Sequence, residues 1–593
     1  MRPAFYRRAA ALLVLLHLLL AGAYSAWNPL GEAPDEADHW AYVVYLARER
    51  ALPVGPQQTQ SKHPPLFHAS AALAASLAEP RADFLRPNPD IALAPGPTQS
   101  PNFFIHTAQE AWPWRGGALA FHLARGWAVL LSSLTVAAVY GLGRAALPQR
   151  PGVALLATGL AAVLPEFAFV GSAVNNDGAA ALFATLGLWG GFAIYQGRGR
   201  LRCGWWTPPA LGLGLLAKVS TTALWPVVGL LIVLGAAREV LSSERASVGA
   251  WRAAVWRTWP RWALTGLAVF VPALVIAAPW WLRNWRLYGD PLGMALVRAT
   301  VDERSGGWGL AETAWLLRGW FFSFWGKFGG AGHVPYPAWV YWGWGVLALA
   351  GMAGLGLAWR RERGTRLPMA LLALAALAVA AGIGRYSLIA LGTDQGRLLF
   401  PALGPLLLLL ALGLAAWTPA RHAPISGAAL TGSVALLAAY GLVGVIRPAF
   451  GPPPPPSRDE MAALPVAGAP ITFGELALAG WQLADGPLLY WRAEAAPTQD
   501  WRTQLRIVAD DGALVWEWQR SPGYGRFSTD RWPAGTVMAD RYRVRWPDWA
   551  GPGRYRVEVG LAPAGGALVQ PNGPQDLVSG DFPYAFLGWL ERP

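Results

Sequence analysis

Long apolar runs alternate along this chain with short polar punctuation, and the runs have membrane length. Stretches close to the roughly twenty residues needed to cross a bilayer occupy 9–27, 118–146, 152–174, 179–195, 262–281, 339–358, 369–390, 398–417 and 427–446. One more, 208–237, is too long for a single crossing and is interrupted by Lys218, Ser220 and Thr221. Both of its flanks are basic, with Arg198, Arg200 and Arg202 before it and Arg238, Arg245, Arg252 and Arg257 after it. Cytoplasmic loops collect arginine, so the two flanks share a side and the stretch is predicted to be two short helices turning back near Lys218. The pattern thus predicts eleven spans. Arg7, Arg8, Arg144, Arg150, Arg360, Arg361, Arg363, Arg366 and Arg421 then also fall on the cytoplasmic side. The N-terminus is predicted to be cytoplasmic and the C-terminus outside. A basic head and a long apolar core make the first span an uncleaved signal anchor.

Two regions break the helical rhythm. The first outer loop, 28–117, holds an amphipathic stretch at 37–50 and an apolar one at 66–77 that is too short to span and suits the interface. After the last span, GPPPPPSRDE opens a stiff proline-rich linker, 451–469. Beyond it the period shortens to two: LRIVADDGALVWEWQ, YRVRWPDW and GRYRVEVGLAPAGG alternate apolar and polar residues between Gly, Pro and Asp turns. The expected fold is a polytopic α-helical membrane domain, 1–450, followed by an extracytoplasmic all-β sandwich, 470–593. Aromatic residues at strand spacing in that tail read as core rather than as a sugar-stacking surface.

Composition agrees with this reading. The chain has 593 residues, 54% of them hydrophobic and only 14% charged, with a mean hydropathy of +0.30, which excludes a soluble globule. The net charge of +13 lies in the short loops, so it reports orientation in a membrane and not a nucleic-acid partner. Cys203 is the single cysteine, so no intramolecular disulfide framework exists.

The candidate chemistry gathers at one end of the spans. PDEADHW, just after the first span, packs Asp35, Glu36, Asp38 and His39 together, and SKHPPLF ends the same loop with Lys62 and His63. Asn175, Asn176 and Asp177 precede the fourth span, and Lys218 marks the hairpin turn. Arg283 and Asn284 follow the seventh span, Lys327 lies in FFSFWGKFGG, and Asp394 and Arg397 in TDQGRLLFP. All are predicted to face outward, where arginine runs against the usual bias and ionisable groups near lipid mark a site. Of 48 basic residues only Lys62, Lys218 and Lys327 are lysines, and a compact ammonium suits a phosphate approached as a point charge. Structural roles compete with each of these. Asp35 and Asp38 form a capping-box pattern, Asn176 or Asp177 would cap the fourth span, KHPPLF resembles a helix start, and Asp394 would pair with Arg397. Glu36 and Asp35 each share a helical face with His39, which also suits a divalent metal, although no second histidine is spaced for it. No cofactor is otherwise implied.

PDEADHWAYVVYL, KHPPLF, NND, AKVSTTALWP, WWLRNWRLYGDPLG and GRLLFPALGPL, in that order, resemble the GT-C superfamily of membrane glycosyltransferases. The likeness is to the branch of the dolichyl-phosphate-mannose protein mannosyltransferases and the bacterial lipid A aminoarabinose transferases. The resemblance runs from about Arg7 to Trp417 and implies an acidic first-loop residue, Asp35 or Glu36, as catalytic base, with Asp177 as a second acidic position. It also implies a polyprenyl-phosphate sugar donor, for whose phosphate Lys62, Lys218 and Arg397 are candidates. The expected function is inverting sugar transfer to an extracytoplasmic lipid, glycan or protein in the cytoplasmic membrane. A transporter or flippase of lipid-linked sugars is the alternative, and it should carry polar residues at mid-membrane depth and internal repeats. A noncatalytic glycan-binding assembly protein working through the tail is a third.

Overall fold

The computed structural model describes residues 3–95, 99–241, 247–457, 459 and 470–592. Arg245 and the linker after Ser457, apart from Asp459, lie outside the described residues. The helical part begins with α1 (Pro3–Trp27), α2 (Glu36–Glu49), α3 (Leu66–Ala75) and α4 (Gly116–Ala146). It continues through α5 (Pro151–Val163), α6 (Pro165–Val170), α7 (Asp177–Gln196), α8 (Thr207–Ala217) and α9 (Trp225–Val240). Next come α10 (Val248–Arg257), α11 (Trp259–Tyr288), α12 (Met294–Ala299), α13 (Leu310–Trp325) and α14 (Ala338–Arg361). The last are α15 (Arg366–Ser387), α16 (Leu403–Ala415), α17 (Ala423–Tyr440) and α18 (Arg447–Phe450).

The protein is a polytopic helical membrane protein with a C-terminal β domain. Among the described residues, nine helices are long and apolar enough to cross a membrane. Two of the eleven expected spans are shorter. The third breaks into α5 and α6 at Leu164, held extended (ψ 116°) by Pro165, as the residue before a proline prefers. The other is α8, one arm of the hairpin expected near Lys218. α8 runs antiparallel to α7, with Thr207 against Gly190 and Leu211 against Gly187. Lys218 turns the chain beside Asp177, and α9 returns with Leu231 against Gly191 and Gly235 against Tyr195. The glycines of α7 let both arms approach its backbone closely.

The two ends of the bundle differ in chemistry. Arg150 pairs with Glu362, and Arg200 and Arg261 both reach Glu239, so arginine-rich loops distant in sequence share one face. The opposite side, the loop face, carries the described residues between 28 and 115. There α2 and α3 pack on each other and on α4, with Trp40, Phe67 and Phe121 buried between them.

Small strands decorate this face: β1 (Arg86–Pro87) pairs with β2 (Phe104–Ile105), and β3 (Lys327–Phe328) with β4 (Val334–Pro335). The tail forms β5 (Ile471–Phe473), β6 (Leu476–Gln482), β7 (Leu488–Ala493), β8 (Trp501–Val508), β9 (Leu514–Arg520), β10 (Val537–Arg541), β11 (Gly553–Pro563) and β12 (Ala585–Arg592). These make two four-stranded antiparallel sheets, ordered β10-β7-β6-β5 and β12-β11-β8-β9. Trp491, Trp501 and Trp532 lie in the core they enclose, so these aromatics are packing residues. The sandwich is fastened to the first loop and to the end of the last span. Arg86 pairs with Asp500, Asn88 donates to the Tyr524 carbonyl at 2.9 Å, and Arg526 donates to the Pro448 carbonyl at 2.9 Å.

Candidate functional site

The site is built where α1 gives way to α2. Arg125, in the middle of α4, is fully buried, as is Glu36. Its guanidinium grips Glu36 through Nε (2.8 Å) and Nη2 (2.7 Å) and also donates to the carbonyls of Ser25, Asn28 and Pro29. Glu36 accepts further bonds from the backbone of Gly31 (3.1 Å) and Val174 (2.9 Å). Both of its oxygens are thereby saturated. Such a fork-to-fork pair fixes a planar geometry, and it fixes the turn that carries Asp35.

Asp35 itself has a left-handed backbone, φ 58° and ψ 9°, and makes no capping bond to α2. The capping box expected for Asp35 and Asp38 is therefore not formed. Non-glycine residues adopt this conformation rarely and at a cost. Asp35 instead pairs with Arg397 Nη2. Arg397, held by the 3₁₀ turn Gly396–Ala402, donates from Nη1 to Asp177 Oδ2 at 2.8 Å and from Nε to Gln395 Oε1 at 2.7 Å. Asp177 Oδ1 accepts from Lys218 Nζ at 2.5 Å. The partner once expected for Arg397, Asp394, is replaced by these two distant carboxylates. The network Asp35–Arg397–Asp177–Lys218 is charge-balanced, and only Asp35 opens to solvent: its side chain is 48% exposed, against 12% for Lys218, 5% for Arg397 and 0% for Asp177.

Neighbouring groups frame the cluster. Lys62 Nζ donates to the carbonyls of Thr59 and Thr300, both at 3.1 Å; burial lowers its pKa, with Asp35 and Asp38 pulling the other way. Burial raises the Asp38 carboxyl, while bonds from Thr59 and Gln60 oppose the shift. His39 Nδ1 and His68 Nε2 are 2.8 Å apart and share a hydrogen bond, and His63 stacks on His39 with ring centres 5.7 Å apart. Burial, then nearby cations, hold His39 and His63 well below the usual histidine range. Asn176 stands at the N-cap of α7 but makes no side-chain capping bond; Asn175, one position before it, serves the first turn instead, its Oδ1 accepting from the Asp177 backbone at 2.9 Å. Asn176 is buried and donates to the Ala217 carbonyl at 3.0 Å.

Four expected residues share the face but not the network. Arg283 donates to the Pro53 carbonyl at 2.6 Å and lies over Trp280. Asn284 is buried, reaching the Pro291 carbonyl at 3.4 Å. Asp394 packs against Gly319. Lys327 lies in the β3–β4 hairpin, where its backbone N–H donates to Glu166 at 2.8 Å. Of the side chains that would also suit a divalent metal, Glu36 is held by Arg125 and His39 by His68, and among the described residues there is no group of three or more His, Cys, Asp or Glu side chains that could hold an ion. Arg125 and His68 escaped the sequence reading. The available signal for the first was an arginine inside the apolar run of α4, well away from Arg144 at its end.

The dolichyl-phosphate-mannose-protein mannosyltransferase family matches residues 121–275. That segment contains Arg125, Asp177 and Lys218 but neither Asp35 nor Arg397. No curated protein matches the chain. Among solved structures, the chain is similar to ArnT from Cupriavidus metallidurans bound to undecaprenyl phosphate (15% identity, 73% of this chain and 70% of that one, TM-score 0.41). It is also similar to the Archaeoglobus fulgidus oligosaccharyltransferase in complex with Zn and sulfate (13% identity, 76% of this chain, TM-score 0.39), of which it spans 54%. A third is the S. cerevisiae protein O-mannosyltransferase Pmt1-Pmt2 complex bound to the sugar donor (16% identity, 45% of this chain and 33% of that one, TM-score 0.31).

Proposed function

We propose that this protein transfers a sugar from a polyprenyl-phosphate donor to the hydroxyl of a lipid, glycan or protein acceptor, with inversion, at the extracytoplasmic face of the cytoplasmic membrane. The observation that carries the reading is the one-sided network in which a half-exposed carboxylate, Asp35, is held by a buried Arg397–Asp177–Lys218 frame. The family match over 121–275 supports it. In this scheme the acceptor oxygen attacks the anomeric carbon on the face opposite the phosphate, and its proton passes to Asp35. The bond between that carbon and the phosphate oxygen breaks with its electron pair on the phosphate. Arg397, Lys218 and Lys62 meet the charge that develops there, a role cations perform best when fixed beforehand. Asp177 orients both cations. Glu36 leaves the pool of bases because its oxygens are saturated, and its part is to hold the turn.

The test uses the full chain in proteoliposomes with a panel of undecaprenyl-phosphate-linked sugars, reading release of undecaprenyl phosphate. General-base catalysis contributes about 10²–10⁴-fold, so Asp35→Asn is expected to cut turnover by that factor while the protein stays folded. Full turnover in Asp35→Asn would sink the assignment.

A further inference from the structure

A cavity of about 680 Å³ lies apart from the Asp35 network, between the end of α1, the first loop, the last span and the β domain. The turn from Asn28 to Asp35 divides the two places: Asn28 lines the cavity, whereas Asp35 faces Arg397. The volume is that of an ordinary small-molecule site.

Three buried polar atoms on its wall have no hydrogen-bond partner among the described residues: Asn28 Oδ1, Glu110 Oε1 and His122 Nδ1. His122 is only 9% exposed, with its ring stacked on Trp114 at 3.6 Å between centres. Leaving a buried polar group unpaired costs about 1–3 kcal/mol; all three atoms have almost no accessible surface, so a ligand with donors and acceptors of its own satisfies them once their side chains turn toward the cavity.

Two arginines supply charge. Arg447, at the loop-face end of the last span, is exposed, and its side chain makes no hydrogen bond or ion pair among the described residues. Arg531 enters from the β domain, donating to the His106 carbonyl at 3.4 Å and lying over the Phe527 ring, with the carboxylates of Glu110 and Asp530 nearby. His106 is buried between Glu32 and Glu110. Burial works against its charged form, but the two carboxylates raise its pKa to about 9. With His106 protonated, it and the two arginines carry one positive charge more than Glu32 and Glu110 offset.

The remaining boundary is apolar and faces the bilayer. Trp27 (53% exposed) and Val443 (48%) rim the cavity, and the exposed Leu16 and Leu19 continue the α1 surface below them. An aromatic rim beside a basic pocket is the expected interface between head group and acyl chain. The π-helical turn Gly441–Ile446 carries Val443, and such turns recur at functional sites.

We infer that this cavity is a lipid site: it takes a phosphate head group that also bears hydroxyls, entering sideways from the leaflet at the loop face. Arg447 and Arg531 hold the phosphate, Asn28, Glu110 and His122 meet the hydroxyls, and the tail lies along α1. The inference is independent of sugar transfer at Asp35. The test is native mass spectrometry of the full chain with phosphatidylglycerol against phosphatidylcholine. Phosphatidylglycerol is expected to be retained at least tenfold better, an advantage lost in Arg447→Ala/Arg531→Ala and in Arg447→Glu alone, where the exposed position keeps folding out of the question. Asp35→Asn is expected to retain it fully. Equal retention of the two lipids by the unaltered chain, or an undiminished preference in both arginine variants, overturns the site. Competition by glycerol phosphate as strong as that of short-chain phosphatidylglycerol overturns the lipid and leaves a soluble-anion pocket.

Discussion

Asp35 and Glu36 are adjacent in the chain and opposite in circumstance. Asp35 is half exposed and reaches across the bundle to Arg397, while Glu36 is sealed against Arg125 with every oxygen occupied. Both are carboxylate–arginine pairs at the same depth, so neither charge nor position along the membrane normal distinguishes them. Access does. In the proposed transfer, a carboxylate with a free face can exchange its arginine for a substrate group, whereas a buried one with four hydrogen bonds holds its neighbours in place. The second makes the first useful, because Arg125 also fixes the carbonyls of the turn that presents Asp35.

The comparison breaks most visibly under truncation of the clamp. Removing one partner of a buried ion pair costs about 3–5 kcal/mol because the other charge is left uncompensated. Arg125→Met is therefore expected to lower thermal stability by that amount, and Arg125→Met/Glu36→Gln to recover a large part of it. Asp35→Asn, by contrast, should cost less stability, since Asp35 is half exposed and Arg397 keeps Asp177, and remove turnover. Arg125→Met with unchanged stability and lost turnover would reverse the two roles and place the functional carboxylate at Glu36.

What the sequence disclosed follows from the range of the forces involved. The hairpin at Lys218 was legible because basic flanks on both sides of one apolar stretch demand an even number of crossings, and the sandwich because alternation is local. The gathering of Asp35, Asp177, Lys218 and Arg397 on one face followed from topology alone. Their bonds did not: Arg397 lies 362 residues from Asp35, and no periodicity encodes such a pairing. Local rules therefore offered the wrong partner, Asp394, and the wrong cap, Asp35. Arg283, Asn284 and Lys327 share the side of the site without entering it, since sidedness constrains depth but not lateral position. Glu36 could not be told from Asp35 until Arg125 was found beneath it.

A third carboxylate on the same turn sharpens the contrast. Glu32 is buried like Glu36, but its partner is His106, which bonds it at 3.0 Å. An arginine partner stays charged throughout the accessible range, whereas this histidine titrates, with a pKa raised to about 9. A group whose folded pKa lies above its unfolded value, about 6.5 for histidine, contributes stability that is full below the unfolded value and lost as pH rises through the folded one. The melting temperature of the full chain is expected to fall between pH 6.5 and 9.5, and His106→Gln to flatten that fall. A slope that survives His106→Gln would assign it elsewhere.

The smallest effect lies in the NND sequence, where capping and ion pairing compete within three residues. Asn175 Oδ1 accepts from the Asp177 backbone at 2.9 Å and its Nδ2 donates to the Val170 carbonyl at 2.7 Å, so its side chain is spent on the start of α7. Asp177 turns the other way, to Lys218 and Arg397. Loss of a cap costs about 0.5–2 kcal/mol, so Asn175→Ala is expected to lower the melting transition by that much while turnover per folded molecule holds. Turnover lost without any change in melting would mean that Asn175 acts on the site through the backbone of Asp177, and that a residue two positions from a charge can belong to it without touching it.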